Sequence, residues 1–573
     1  MTQSDVPVLI VGAGPVGLMA AILLARHGVA SRLIDRRAHP NRAPAAHVVN
    51  ARTFEICRAA GVDAAAIEAA AGDPRDAGQV IWLTKLAGEE VGRLPFERQG
   101  EEAQRFTPTP LRNLSQHRFE AILRGSLKEA GAPEVAYGQQ WESAEQDDSG
   151  VLSRVRDLEE NTVHEIRSRF VIACDGAGSR VRKSLGIEMS GPPRIQSFLM
   201  IHFAADLREI VRERPGILYW IVDPELGGTF VAHDIDREWV YMRPIDPDHE
   251  SEADYPAARC AELVRAAIGA DCGPLRIDTI SSWTMSAQVA ERFREQRIFL
   301  AGDSAHRFPP TGGLGLNSGV QDVHALAWRI AAVEAGHAGP SLLDSYERER
   351  LPVARDNAAQ SLRNAMKMIE IPVALGIAAE PTTARMRATL DDPEARARVV
   401  QAIAGQAEHF DMLGLQLGYA YEEGALIPDG EPAPVVENRV REFVPSGRPG
   451  ARFPHAWWER DGRRGSTLDL LAFDGFTLVT SKPSDVWATA VAAIADLPVR
   501  CVALEREGLV DLARWQTDAG IGPDGALLVR PDQHVAWRVT AAPADAGAAL
   551  RAAIDRVLGR EARVGRATAP VSG

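Results

Sequence analysis

The segment Val6 to Ala25 runs for twenty residues without a charge and carries Gly12, Gly14, Pro15 and Gly17 at its centre. No other feature constrains the fold as much. Twenty apolar residues are long enough to span a bilayer. Glycines and a proline at mid-span, with no basic start and no small-residue cleavage site, argue instead for a buried strand turning into a helix. Val8-Leu9-Ile10-Val11 reads as the strand, Val16 to His27 as an Ala/Leu-rich helix ending at Gly28, and Ala30 to Asp35 as a second strand. Together they predict a β-α-β mononucleotide-binding unit.

In that setting the spacing Gly12-x-Gly14-x-x-Gly17 has a mechanism. Gly12 permits the tight turn, Gly14 lets backbone approach a pyrophosphate, and Gly17 lets the helix pack on the strand, while the helix start offers partial positive charge to phosphates. Asp35 closes the second strand, where a carboxylate can accept hydrogen bonds from ribose hydroxyls. Arg36 follows it as a further cofactor candidate.

Two later segments separate FAD from NAD as the bound dinucleotide. Residues 170–182 run from a buried strand through Asp175-Gly176-Ala-Gly178-Ser179 into a helix start. Residues 297–317 run from a second buried strand through Gly302-Asp303-Ser-Ala-His306-Arg307-Phe-Pro309-Pro310-Thr-Gly312-Gly313-Leu-Gly315-Leu316-Asn317. A carboxylate directly after a buried strand is placed to bind a ribityl hydroxyl. The glycine loop after Asp303 lets N–H groups at a helix start face the flavin N1/C2 edge, where negative charge develops on reduction.

With these motifs in this order, the sequence resembles the FAD-dependent aromatic hydroxylases of the p-hydroxybenzoate hydroxylase fold, the class A flavoprotein monooxygenases. The resemblance covers roughly residues 6–355. Within the family, Ala301 to Arg329 and Leu343 to Pro352 look most like the phenol and chlorophenol hydroxylase branch. Leu114 to Glu120 matches the helix start at which the family's Gln, here Gln116, approaches FAD. One position departs: the family has an Arg before the small residue at Ala46, and this chain has Ala45. Arg42 or Arg52 is left to compensate, and Arg42 is the one taken as a cofactor contact.

The resemblance implies an α/β chain in which a Rossmann-like FAD-binding domain (1–185 and 288–375) receives an inserted β-sheet substrate domain (186–287). Strand-like runs such as Ile217 to Val222 and Trp239 to Met242, broken by Asp/Pro/Gly turns, support that sheet. A helical segment and linker (376–430) leads to a C-terminal thioredoxin-like domain (431–560), and residues 561–573 read as a disordered tail. The C-terminal unit contains only Cys501, which excludes dithiol chemistry there.

The implied activity is that of a single-component monooxygenase. NADPH or NADH reduces FAD, O2 adds to give a flavin C4a-hydroperoxide, and a phenolic or polycyclic aromatic ring is hydroxylated. The Pro309-Pro310 turn lines the reacting face in the family, and His47 is the chosen substrate-side catalytic residue. Tyr219, His233 and Tyr241 join His47 as substrate contacts because each combines ring surface with a polar tip. A same-fold flavoprotein that oxidises or reduces its substrate without inserting oxygen is the alternative. A second dinucleotide motif, a Gly-x-Ser-x-Gly elbow, a His-Glu-x-x-His pair, a P-loop and the halogenase Trp-x-Trp-x-Ile-Pro signature are all absent.

Composition bounds the partners. Over 573 residues the net charge of −14 argues against nucleic acid and anionic membrane, and a homo-oligomer is compatible with it. Five scattered cysteines form neither a disulfide framework nor a metal ligand set and fit a cytoplasmic protein. No metal site is expected.

Overall fold

Strand Ser4–Val11 forms the middle of an eight-stranded sheet, as its all-apolar run Val8 to Val11 requires of a strand buried on both faces. The computed structural model describes residues 4–41 and 44–560. In it, Ser4–Val11 pairs in parallel with Ser31–Ile34 on one side and with Thr162–Ala173 on the other, and Ile298–Leu300 continues beyond the latter. Val11, Ala173 and Leu300 therefore end side by side. The loops carrying Gly12, Asp175 and Asp303 all leave the sheet at its carboxyl edge, where ligands of open parallel sheets bind. Helix Pro15–Arg26 crosses between the first two strands, and helix Gln116–Ala130 packs beside it.

A second sheet has seven strands in the order Arg276–Met285, Gln196–Ala204, Glu238–Ile245, Gly228–Asp234, Leu218–Ile221, Gln79–Leu83, Glu90–Pro95. The sequence reading left residues 79–95 in the first domain. Gln79–Leu83 instead joins this sheet by parallel pairing with Leu218–Ile221, a long-range partnership with no local signal. One face, with Ile201, Phe203, Phe230 and Trp239, is closed by Cys260, Val264 and Ile268 of helix Ala257–Ile268. The other carries Val80 and Trp82, packed with Phe96, Leu111 and Phe410.

The chain divides into two compact units, the first being Met1–His324 with Arg350–Tyr419 and Val435–Val444. The second comprises Ala325–Glu349, Ala420–Pro434 and Pro445–Gly573. It is built on a four-stranded sheet, Val499–Ala503, Phe476–Thr480, Ala526–Val529, Val535–Val539, with one parallel and two antiparallel pairings. Helices Asp485–Ala492 and Ala546–Val557 cover one face and Leu512–Ala519 the other, a thioredoxin-like arrangement with Cys501 exposed and unpaired. Within this unit Glu349 receives Arg329 and Arg530, and Arg530 also binds Asp532 at 2.6 Å, all fully buried. The tail expected to be disordered, 561–573, and Arg42 lie outside the described residues.

Candidate functional site

The glycine turn is built by close approach. Gly12 has φ +104°, and a Cβ there would stand 2.3 Å from the Cys174 carbonyl oxygen. A Cβ at Gly17 would stand 1.8 Å from the Gly12 oxygen, so helix and strand could not meet. Gly14 has open space around it and caps helix Pro15–Arg26 without a side-chain hydrogen bond. The first-turn N–H groups are thus free for an anion.

Asp35 is buried at the end of its strand and accepts hydrogen bonds from the Ala13 N–H (2.7 Å), the Arg37 N–H (2.8 Å) and the Arg37 guanidinium (2.9 and 3.1 Å). Burial opposes its ionisation, but these donors hold the carboxyl below the ordinary range. Arg36 is exposed. The turn after the strand carries Arg37 back onto Asp35 and leaves Arg36 open to solvent beside it. Gln116 opens helix Gln116–Ala130 and donates to Glu120 at 2.9 Å, and its own N–H binds the Ala46 carbonyl. Arg52 is fully buried in an ion pair with Glu55 and does not stand in for the missing family arginine.

At the second loop Asp175 uses one carboxylate oxygen to cap the Arg180 and Val181 N–H groups, while its other oxygen is buried without a partner. Burial raises its pKa. Asp303 is exposed by surface area yet so closely surrounded that burial raises its pKa too, which describes a side chain projecting into a concavity. Both are fitted to receive hydroxyl donors from a bound ligand. Beyond Asp303 the loop is fastened internally: Ser304 donates to the Ala173 carbonyl, and His306 pairs with Asp322 at 2.7 Å, itself held by Arg350 at 2.8 Å. His306 is therefore structural.

Pro309 is buried and Pro310 exposed. Gly313, with φ +63°, sits where a Cβ would come within 2.7 Å of the Val48 side chain, and Gly315 has open space at the start of helix Leu314–Glu334. Gly315 and Leu316 leave that helix start partly uncovered. Asn317 was expected to touch cofactor. Its side chain is fully used within the protein, donating to the carbonyls of Val48 and Gly313 and accepting from the Asn50 N–H and Thr53 hydroxyl, which leaves its backbone N–H for such a contact. It pins segment 48–53 to the flavin loop, with no side-chain donor or acceptor left for the cofactor.

That pinning carries His47 to the site. His47 and His233 meet at 5.9 Å between ring centres, edge to face; His47 Nδ1 lies 3.1 Å from Asn113 Oδ1 and His233 Nδ1 2.7 Å from Ser115 Oγ. Burial pushes His47 down to about 4, against the Asn113 bond, and holds His233 well below its ordinary value. His47 is therefore neutral at neutral pH. Tyr219 and Tyr241 do not join them. Register pairs Tyr219 with Phe230 and Phe230 with Tyr241, so both tyrosines lie on the sheet face under helix Ala257–Ile268. Their hydroxyls donate to the carbonyls of Arg214 and Leu226, so they are core residues.

A concavity of about 560 Å3 lies beside the Asp175 loop, lined by Gly178, Arg182, Lys183, Gln288 and Arg307 among others. Arg182 and Arg307 bind only carbonyl oxygens and Gln288, and among the described residues neither has a carboxylate partner. Burial lowers both, and Arg307 lowers Arg182 further. Sequence reading missed this pair, as it missed Gln99, Asn113 and Ser115.

The family model described as FAD binding domain matches residues 5–361, and that described as Aromatic-ring hydroxylase, C-terminal, matches 446–561. The chain belongs to the class A FAD-dependent aromatic hydroxylases. This hydroxylase is 34% identical to 2,4-dichlorophenol 6-monooxygenase of Cupriavidus pinatubonensis, over 97% of each chain. It is 35% identical to aklavinone 12-hydroxylase RdmE of Streptomyces purpurascens, over 98% of this chain and 100% of the relative. The structure of the flavin-dependent monooxygenase PieE with FAD and substrate superposes with a TM-score of 0.89 at 35% identity, covering 97% of this hydroxylase and 99% of that chain. Among the described residues no helix is long and apolar enough to cross a membrane, and no cluster of metal-ligating side chains occurs.

Proposed function

We propose that this hydroxylase inserts one oxygen atom into an aromatic ring that already bears a hydroxyl, a phenol or a polycyclic phenol, using NADPH or NADH and O2. The observation that carries this reading is the edge-to-face pair His47 and His233, with the segment after His47 pinned by Asn317 to the glycine loop that opens helix Leu314–Glu334 and His233 held by Ser115. Relatives named for dichlorophenol and for aklavinone bracket the ring sizes. Bound FAD supplies electron transfer from the nicotinamide to O2.

The chain's own residues do the rest. Asp35, Asp175 and Asp303 would hold hydroxyls of the cofactor, and the open helix starts at Gly14 and Gly315 would receive its anionic groups. The guanidiniums of Arg182 and Arg307, without a bonded carboxylate among the described residues, suit the phosphates of NAD(P)H. The turn Pro309-Pro310 contributes no N–H of its own beside the reacting face, which limits stray proton donors. All five cysteines are unpaired, which fits a cytoplasmic setting.

The test is NAD(P)H consumption by purified holoprotein across a panel of simple and polycyclic phenols. A panel member that accelerates consumption and gains one oxygen supports the reading. Substrate oxidised or reduced with no oxygen gained favours the alternative flavoprotein.

A further inference from the structure

Resting on the reading just given, we infer that Gln99 and Asn113 fix the tautomer of His47 so that its Nε2 accepts a hydrogen bond from the hydroxyl of the phenolic substrate. The inference follows a chain of donors in which each orientation is forced by the one before. Gln99 Nε2 lies 3.0 Å from two backbone carbonyls, Ala77 O and Phe96 O. Carbonyls only accept, so the nitrogen of the Gln99 amide must face them, and its Oε1 is left facing Asn113. There it meets Asn113 Nδ2 at 3.3 Å, an atom that also lies 3.5 Å from Ala77 O. Asn113 Oδ1 is thereby the acceptor turned to His47 Nδ1 at 3.1 Å. Only Nδ1–H satisfies it, so Nε2 bears the lone pair.

Nothing among the described residues binds that Nε2. The neighbours of the His47 ring are the Phe96 ring at 6.2 Å and the His233 ring at 5.9 Å, and part of the ring surface stays uncovered. A merely structural histidine needs no fixed acceptor left open beside the glycine loop. His233 differs, because the Ser115 hydroxyl can donate or accept and leaves its tautomer undetermined. The charged groups stand behind His233 rather than on His47: Glu238 binds Arg118 at 2.5 Å and lies 3.4 and 3.6 Å from His117 and His202. His47 thus keeps a neutral, outward-accepting ring.

A lone pair held in place draws the hydroxyl proton toward nitrogen and enriches the ring oxygen. Asn113 and Gln99 act through His47 and are positioning residues.

The tautomer is read by long-range proton–nitrogen correlation on holoenzyme labelled with 15N-histidine, His47 being identified by its loss in His47→Gln. The expected result is a protonated Nδ1 and a bare Nε2 whose nitrogen shift moves when a phenol that is turned over is added. A protonated Nε2, or a bare Nε2 indifferent to that phenol, overturns the inference. Asn113→Asp places a carboxylate on Nδ1–H, stabilises the imidazolium and removes the acceptor. The acid limb of kcat/KM then moves up by about one to three pH units, with KM affected more than kcat, and an unmoved limb counts against the role. If no phenol yields an oxygenated product with the unaltered enzyme, the proposed function fails, while the tautomer assignment is still read from the spectrum.

Discussion

Removing the Asp303 carboxylate should weaken FAD retention without loosening the fold, because that side chain is exposed and makes no hydrogen bond among the described residues. Asp303→Ala should lower FAD affinity by about 10- to 100-fold, the worth of one hydrogen bond to a charged group. Titration of apoprotein with FAD measures it, and unchanged occupancy would remove Asp303 from the site. Glu97 carries a different expectation. It accepts from the Met412 N–H and Gln416 Nε2, yet burial, with Asp411 adding to it, pushes its carboxyl up to about 7. The folded chain therefore holds a proton that the unfolded chain has released between about pH 4.5 and 7. Stability from this group is present at low pH and is lost as pH rises through that window. Glu97→Gln should raise Tm at pH 8 and leave it unchanged at pH 5, and a variant equally destabilised at both would contradict the assignment.

At the scale of elements, the three glycines of the first turn separate into two kinds. Gly17→Ala drives a Cβ into the Gly12 carbonyl and should give little folded protein. Gly14→Ala meets nothing within 4 Å; it should fold with unchanged apoprotein Tm while FAD affinity falls by about tenfold or more, its methyl crowding the anion-binding helix start. Equal damage from both would refute the division of roles. This turn was legible in the sequence because strand, glycines and helix are contiguous and each leaves a local mark. The substrate face was less so. Alternation in Tyr219 and Tyr241 says that they share a face with their neighbours, but which face is the core was decided by where helix Ala257–Ile268 packs, many residues away. Gln99 and Asn113 are ordinary polar residues whose meaning appears only when Val48–Val49 and Arg112–Asn113 pair. His47, one residue before that pairing, was found by its position relative to the flavin loop in the family.

Across the whole molecule, the second unit depends on charges sealed inside it. Glu349 neutralises Arg329 and Arg530, and Asp532 binds Arg530 and the Trp328 indole N–H at 3.0 Å. Glu349→Gln leaves two buried guanidiniums short of a partner and should cost about 3 to 5 kcal/mol of that unit's stability by urea unfolding; a change below about 1 kcal/mol would mean that the network relaxes easily. The acidic net charge of −14 is consistent with anionic cofactors because the groups proposed to meet them are local, namely helix starts and Arg182 and Arg307, which have no carboxylate partner among the described residues. The central claim is that these parts together insert oxygen into a phenolic ring. Turnover under 18O2 with NAD(P)H tests it most directly: the account predicts one 18O atom in the product and none from solvent water, and turnover whose product carries no 18O would contradict it.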